Sequence, residues 1–365
     1  MLTLEGITVL AFEQAVAAPY CTSRLAQDGA RVIKIERPEG DFARGYDRAA
    51  GSVSSYFAWL NAGKESCALD LRAPEDAALA RAMMEAADVV VENLAPGALE
   101  RLGFDLAAWR AEKAGRVSCS ISGYGRGHSY EQAKAYDLLV QAESGLCAVT
   151  GSAEAPGRVG FSVADIACGM QAYAGVLKAL LRRGITGEGG HVEVSLFSAL
   201  AEWMAVPYLQ TRAGAEPQRV GVAHPSIAPY GVFRTQDGVD LVLAVQSERE
   251  WQALEPRLLG GTDPRFASNV ERVAHRDALD ELIAARIGAM RAAEAEALLT
   301  ECGTAHARLR DVASALEHPA LRWEQVVTPN GPFEFPEPAT GPAERRDRRV
   351  PEVGAQTEAL RAEFG

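Results

Sequence analysis

No apolar stretch of this 365-residue sequence approaches the roughly 20 residues that a membrane helix needs. The opening residues, MLTLEGITVLAFEQ, lack the basic leader and small-residue cleavage site of a secretory signal, so the expected location is the cytoplasm. Positive charge is also in deficit. Against 49 Asp and Glu stand only 37 Lys and Arg, a formal charge of −12, which argues against general attraction to nucleic acid or to an anionic membrane. An anionic ligand would need a local basic pocket. The six cysteines, Cys21, Cys67, Cys119, Cys147, Cys168 and Cys302, are scattered without a CxxC pair. That spacing speaks against a disulfide framework or a zinc site and leaves buried free thiols as the expectation. His128 follows Gly127 in an expected loop, His191, His275, His306 and His318 read as surface or structural residues, and none has metal-ligand spacing.

Several catalytic signatures are missing as well. There is no GxGxxG at the first strand-helix turn, no GxxxxGK followed by Ser or Thr, no GxSxG and no HExxH. Nicotinamide dehydrogenases, P-loop NTPases, serine hydrolases and zincins are disfavoured accordingly. Repeats and low-complexity segments are absent too, apart from the charged run Glu344 to Arg349.

What is present is an ordinary globular composition, 48% hydrophobic and 24% charged, in a chain long enough for two domains. Ile7 to Phe12 reads as a strand, Pro19 to Gln27 as a short helix and Arg31 to Glu36 as a second strand, which together make a parallel β-α-β unit. Pro74 to Ala87 is rich in helix formers, and Val89-Val90-Val91 and Val117 to Ile121 read as further buried strands. This alternation predicts an open, Rossmann-like α/β sheet with helices on both faces. A small-residue helix is expected from Val163 to Arg183, stopped by Gly184, and then a strand over His191 to Leu196 and a long apolar helix around Ala199 to Tyr208. Thr211 to Pro225 reads as a linker. Gly231 to Val245 reads as a hairpin turning at Gln236-Asp237-Gly238, and Arg272 to Glu301 as helices, giving a smaller α+β region. The prolines and glycines of Pro329 to Pro342 predict an extended connector.

In an open α/β sheet, ligands bind beyond the carboxyl ends of the strands. Ala15 to Ala17, Glu36-Arg37-Pro38, Glu92-Asn93 and Ser122-Gly123-Tyr124-Gly125 fall there, and Arg37, Arg72, Arg101 and Lys134 offer cations for phosphates. Asp165 is a carboxylate at the head of an otherwise small and apolar helix. Capping and the helix dipole would explain it as readily as catalysis would. Asp137, in Tyr136-Asp137-Leu138-Leu139-Val140, has the same status, and two acids at one pocket could instead form an acid/base pair.

At this point the sequence resembles the class III CoA-transferase family (CaiB/BaiF type), which also holds the α-methylacyl-CoA racemases. The resemblance runs through GITVL, GARVIKIERPEGD, NAGKESCALDLR, ADVVVENLAPGALERLGF, SISGYG, YDLLVQAESGL, VADIACG, ITGEGGHVEVSLFSAL, EHPALR and VGAQTEAL, in order and across nearly the whole chain. By that resemblance Asp165 matches the catalytic aspartate, which carries coenzyme A as a thioester between an acyl-CoA donor and a carboxylate acceptor. It implies no metal and no tightly bound cofactor, coenzyme A being a substrate. Ala15, Val16, Ala17, Arg37, Leu69, Arg72, Asn93, Leu94, Arg101 and Lys134 match positions that contact coenzyme A, and Tyr46, Tyr136 and Asp137 match the acyl pocket.

The racemase branch of the family has a His-Asp pair where this chain has Tyr136-Asp137. A phenol with a pKa near 10 is a poor base around pH 7, so the transferase reading is favoured. ERPEGDFARGYDR, HPSIAPYGVF and AVQSEREW look most like members acting on mesaconate, citramalate, itaconate or succinate. A non-catalytic CoA-binding protein is a third reading. The resemblance also implies a homodimer of two chains interlinked like rings. It places a large domain at 1–210 and 330–365, a small one at 220–315, and linkers at 211–219 and 316–329.

Overall fold

The structure is a computed structural model that describes residues 2–51, 53–341, 343–344 and 348–365. The chain divides into two compact units. One comprises Met1–Cys147, Arg158–Leu209 and Arg322–Gly365, the other Ala148–Gly157 and Gln210–Leu321.

The first unit is built on six parallel strands: β1 (Thr8–Phe12), β2 (Arg31–Glu36), β3 (Glu65–Ala68), β4 (Val89–Glu92), β5 (Val117–Ser122) and β6 (Gly190–Ser195). Their order in the sheet is β3-β2-β1-β4-β5-β6, all pairs parallel, so both halves wind outward from β1 and β4. Both faces are covered along β1 and β4, which accordingly read as near-continuous apolar runs, while β6 leaves His191 and Glu193 exposed on one face. Along β1 the side chains alternate: Val9 and Ala11 enter a core with the helices Ala17–Gln27 and Val163–Thr186, while Leu10 and Phe12 enter another with the helix Pro74–Ala86. The doubly wound sheet expected from the sequence is therefore present, with β3 as a strand that the periodicity had not singled out.

Four boundaries differ from expectation, each for a local reason. The first helix begins at Ala17, because Pro19 sits in the opening turn where its missing N–H has no partner to lose. The helix from Val163 passes through Gly184 to Thr186 and ends at Gly187, whose φ of 77° supplies the left-handed cap. The single helix expected around Ala199 to Tyr208 is two, Leu196–Trp203 and Ala205–Arg212. The connector expected at Pro329 to Pro342 contains a strand: β10 (Trp323–Thr328) pairs antiparallel with β11 (Gly331–Pro336), and Pro342 lies outside the described residues. The expected linker 316–329 thus contains a strand. Prolines are tolerated in β11 because a two-stranded ribbon has open edges that need no N–H. Part of the charged run Glu344 to Arg349 also falls outside the described residues.

The second unit holds an antiparallel sheet of β7 (Tyr230–Arg234), β8 (Asp240–Ala244) and β9 (Ala305–Arg308) in that order. The β7-β8 turn closes with Thr235 N donating to Val239 O at 2.9 Å, and Gly238 takes φ 82°, as the Asp-Gly signal predicts. Phe233, Leu241 and Leu243 form its core with Trp251, Leu254, Ile283, Ile287 and Leu299 from the helices Glu248–Leu259, Arg276–Gly288 and Ala292–Glu301.

Candidate active site

Because all six strands of the large sheet are parallel, their carboxyl ends share one edge, and the winding reverses between β1 and β4. Phe12 pairs with Glu92 at the last register position, so the segments leaving the two strands emerge side by side. Asn93 clamps them together: its Oδ1 accepts from Gln14 N and its Nδ2 donates to Gln14 O, both at 2.9 Å. Ala15 follows at φ 61°, the one non-glycine residue in the left-handed region among the described residues. Val16 then caps the first helix and Ala17 opens it, both buried.

The helix carrying Asp165 packs onto this turn. A Cβ at Gly169, one turn beyond Asp165, would stand 2.6 Å from Ala17 O and 2.9 Å from Tyr20 Cβ, so glycine is what permits the approach. Asp165 is the third residue of its helix, a position where an acid would ordinarily bond a free N–H. That task falls to Asp137 instead. Its Oδ1 accepts from Ala164 N at 2.8 Å, while its Oδ2 accepts from Gln141 Nε2 at 2.7 Å. Gln141 Oε1 in turn accepts from Val159 N at 2.9 Å, tying the chain that leads into the Asp165 helix. Arg158 lies 3.8 Å from Asp137.

The Asp165 carboxylate therefore has neither hydrogen bond nor ion pair among the described residues. Burial and, secondarily, the negative charge of Asp137 push its pKa up to about 7. The Tyr46 phenol is pushed up to about 12 by burial and then by Asp41 and Asp165, which places Tyr46 within electrostatic reach of Asp165 and of Tyr136. Tyr46 meets Tyr56 edge-on at 5.5 Å and Phe42 at a tilt of 52° at 5.8 Å, making an aromatic wall. Tyr136 caps the helix Asp137–Glu143 and is 66% exposed.

The other candidate residues occupy the same sheet edge with different freedom. Arg37, just past β2, and Lys134, between β5 and Asp137, are exposed. Arg72 is exposed and paired with Asp70 at 3.0 Å, and Arg101 is exposed with its guanidinium 3.3 Å from Pro96 O. Leu69 is buried beyond β3, and Leu94 is half-buried with its N–H on Glu92. His128 braces a loop: its Nε2 lies 3.0 Å from Tyr124 O, and its Nδ1 accepts from Tyr130 N at 3.2 Å.

Beneath the turn lies a group that the reading of the sequence overlooked. Glu13, Lys34, Asp41 and Lys64 form a buried ionic cluster, with Lys64 on Glu13 at 2.7 Å and Lys34 on Asp41 at 2.9 Å. Burial pushes the Lys64 ammonium down to about 8 even with Glu13 beside it. Lys34 was the available signal, since a lysine between Ile33 and Ile35 in a strand covered on both faces needs buried carboxylate partners.

A half-buried, helix-borne carboxylate without partners among the described residues has the chemistry to act as a nucleophile on an acyl group, and a model of CoA-transferase family III matches residues 4–357. The chain belongs to CoA-transferase family III. Among its relatives are an acetyl-CoA:oxalate CoA-transferase of Acetobacter aceti, 33% identical over 99% of this chain and 95% of that one, and a succinate–glutarate CoA-transferase of Agrobacterium fabrum, 35% identical over 77% and 73%. A CaiB/BaiF family protein from Brucella suis has the same fold, with a TM-score of 0.84, 30% identity and full coverage of both chains. As a family III CoA-transferase, the protein is an enzyme that acts on an acyl-CoA and a carboxylate.

Proposed function

We propose that this enzyme moves coenzyme A between small dicarboxylic acids through a thioester on Asp165. The observation that carries the reading is the bare Asp165 carboxylate, half-buried beside the Ala15–Ala17 turn and poised near neutrality. An anion that neither N–H groups nor cations stabilise is the more nucleophilic for it.

In this reading the Asp165 carboxylate adds to the thioester carbonyl of the donor, and the C–S bond breaks to give a mixed anhydride and free CoA thiolate. The thiolate attacks the aspartyl carbonyl, which expels the donor carboxylate and leaves coenzyme A on Asp165. The acceptor carboxylate then attacks this thioester, forming a second mixed anhydride, and the released thiolate captures the acceptor's carbonyl. The aspartate is regenerated, with no proton or electron gained or lost. Ala15, Val16 and Ala17 wall the coenzyme A, with Leu69, Asn93 and Leu94 beside it and Arg37, Arg72, Arg101 and Lys134 available to its phosphates. Tyr46, Tyr136 and Asp137 frame the acyl group.

Small diacids are supported by the oxalate, succinate and glutarate in the relatives' names and by the half-exposed Arg158 near Asp137, a cation suited to a second carboxylate. Four- or five-carbon acids such as succinate, mesaconate, itaconate or citramalate are the intended range. The enzyme is further proposed to work in the cytoplasm as an interlocked homodimer, with coenzyme A as substrate and no resident cofactor. Exposed Leu181, Ile185, Trp203 and Val206 on the helices flanking β6 fit a surface covered by a second copy.

The test is transfer of labelled coenzyme A from succinyl-CoA to a panel of free dicarboxylates. Native enzyme is expected to give labelled product and Asp165→Ala none. Exchange of the α-proton of a 2-methylacyl-CoA into deuterated water, without transfer, would instead establish the racemase reading. Tight coenzyme A binding with neither reaction would establish a non-catalytic binding protein.

A further inference from the structure

Three consecutive residues after β1 have polar backbone groups held by other side chains. Lys34 Nζ donates to Glu13 O at 3.2 Å, Asn93 grips Gln14 from both sides, and both Asp41 oxygens accept from Ala15 N at 3.2 Å. Each anchor is itself anchored. The Glu13 carboxylate accepts from Lys64 Nζ at 2.7 Å and from Thr22 Oγ1 at 2.6 Å. Asp41 accepts from Lys34 Nζ and Ala43 N, each at 2.9 Å, and donates its own N–H to Glu36 at 2.8 Å. The side chains of Glu13, Lys34 and Lys64 are fully buried and that of Asp41 nearly so, two carboxylates against two ammoniums.

Stability alone is a weak reason for such a cluster, because apolar replacements of buried ion pairs are often neutral or stabilising. What the cluster accomplishes is local. It holds Ala15 at φ 61°, where the Cβ of an L-residue crowds its own backbone, and so fixes the direction in which Val16 and Ala17 leave the turn. Ala17 O in turn sets how closely the Asp165 helix approaches, through Gly169.

We propose that Asp41 is a positioning residue of the transfer reaction: by seating the Ala15 N–H it fixes the Ala15–Ala17 wall relative to Asp165, without touching substrate itself. This rests on the reading of that wall as the coenzyme A site.

The test measures coenzyme A affinity by calorimetry, and KM and kcat for succinyl-CoA, in Asp41→Asn, in Lys34→Met/Asp41→Asn, and in Asp41→Asn/Ala15→Gly. An asparagine keeps one acceptor oxygen in place of two: with that oxygen on the Ala15 and Ala43 N–H groups its NH2 meets the Lys34 ammonium, and with the oxygen on Lys34 its NH2 meets Ala43 N. Asp41→Asn with native circular dichroism is expected to raise Kd and KM about tenfold, with a smaller change in kcat, because a displaced binding wall is felt first in binding. Adding Ala15→Gly is expected to recover several-fold of that loss, since glycine takes the left-handed conformation unaided. Should Asp41→Asn not fold, Lys34→Met/Asp41→Asn leaves no new unpaired charge at that position and gives the same readings. Unchanged Kd and KM in a folded variant would overturn the proposal, and so would a loss that Ala15→Gly does not relieve. Native protein that binds no coenzyme A would overturn the function reading itself, a result distinct from both.

Discussion

At Asp165, desolvation and the neighbouring Asp137 charge both oppose ionisation, and no donor among the described residues offsets them, so the pKa of the carboxyl is pushed up to about 7. Only its anion attacks a thioester. The rate of loading from acyl-CoA should therefore climb about tenfold per pH unit below 7 and level off above it, as single-turnover kinetics can follow. Asp137→Asn, which keeps an oxygen for Ala164 N but removes the charge, should move that inflection to lower pH; an unmoved inflection would assign the shift to burial alone. The same imbalance bears on stability. A carboxyl whose folded pKa is raised leaves the fold unpenalised below its unfolded pKa, costs progressively more as pH climbs through the folded value, and costs its full amount above that. Halving the roughly 4 kcal/mol that such a shift represents, because solvent still reaches the group, Asp165→Asn should be more stable than native by about 2 kcal/mol at pH 8. At pH 4 the gain should vanish, as urea unfolding at the two pH values would show.

Among the elements, the contact between the first helix and the Asp165 helix depends on Gly169, and two glycines of the latter helix make a paired prediction. Gly169→Ala puts a methyl group into Ala17 O and Tyr20 and should cost about 2 kcal/mol in denaturant unfolding, with a loss of transfer activity. Gly184→Ala, exposed in the same helix with nothing within 4 Å of its Cβ, should gain about 0.5–1 kcal/mol and leave activity alone. The sequence showed the strands of the large sheet well where apolar residues run unbroken, as in Val89-Val90-Val91, and showed the β7-β8 turn through Asp237-Gly238. It misjudged β11, whose Pro332 and Pro336 look like breakers until the strand is seen as one half of an open ribbon. At the site, the head-of-helix placement of Asp165 was readable, but not its lack of partners. Asp137 takes the cap at Ala164 N from 27 positions upstream, a pairing that no local pattern encodes.

For the whole molecule, the parallel sheet brings segments from Ala15 to Lys134 to one edge, while the helices after Val163 hold several large apolar side chains in exposed positions. The proposed dimer, which would cover Leu181, Ile185, Trp203 and Val206 at 53–77% exposure, predicts twice the 38.9 kDa of one chain in sedimentation. A chain that sediments as a monomer at micromolar concentration would remove the proposed dimer and leave the chemistry to be judged alone. That chemistry is tested most directly by mass spectrometry of the protease-cleaved enzyme after brief incubation with succinyl-CoA. The account predicts a coenzyme A adduct on the peptide bearing Asp165, lost on treatment with hydroxylamine and absent from Asp165→Ala. Undiminished transfer by that variant, or an adduct on any other residue, would contradict it.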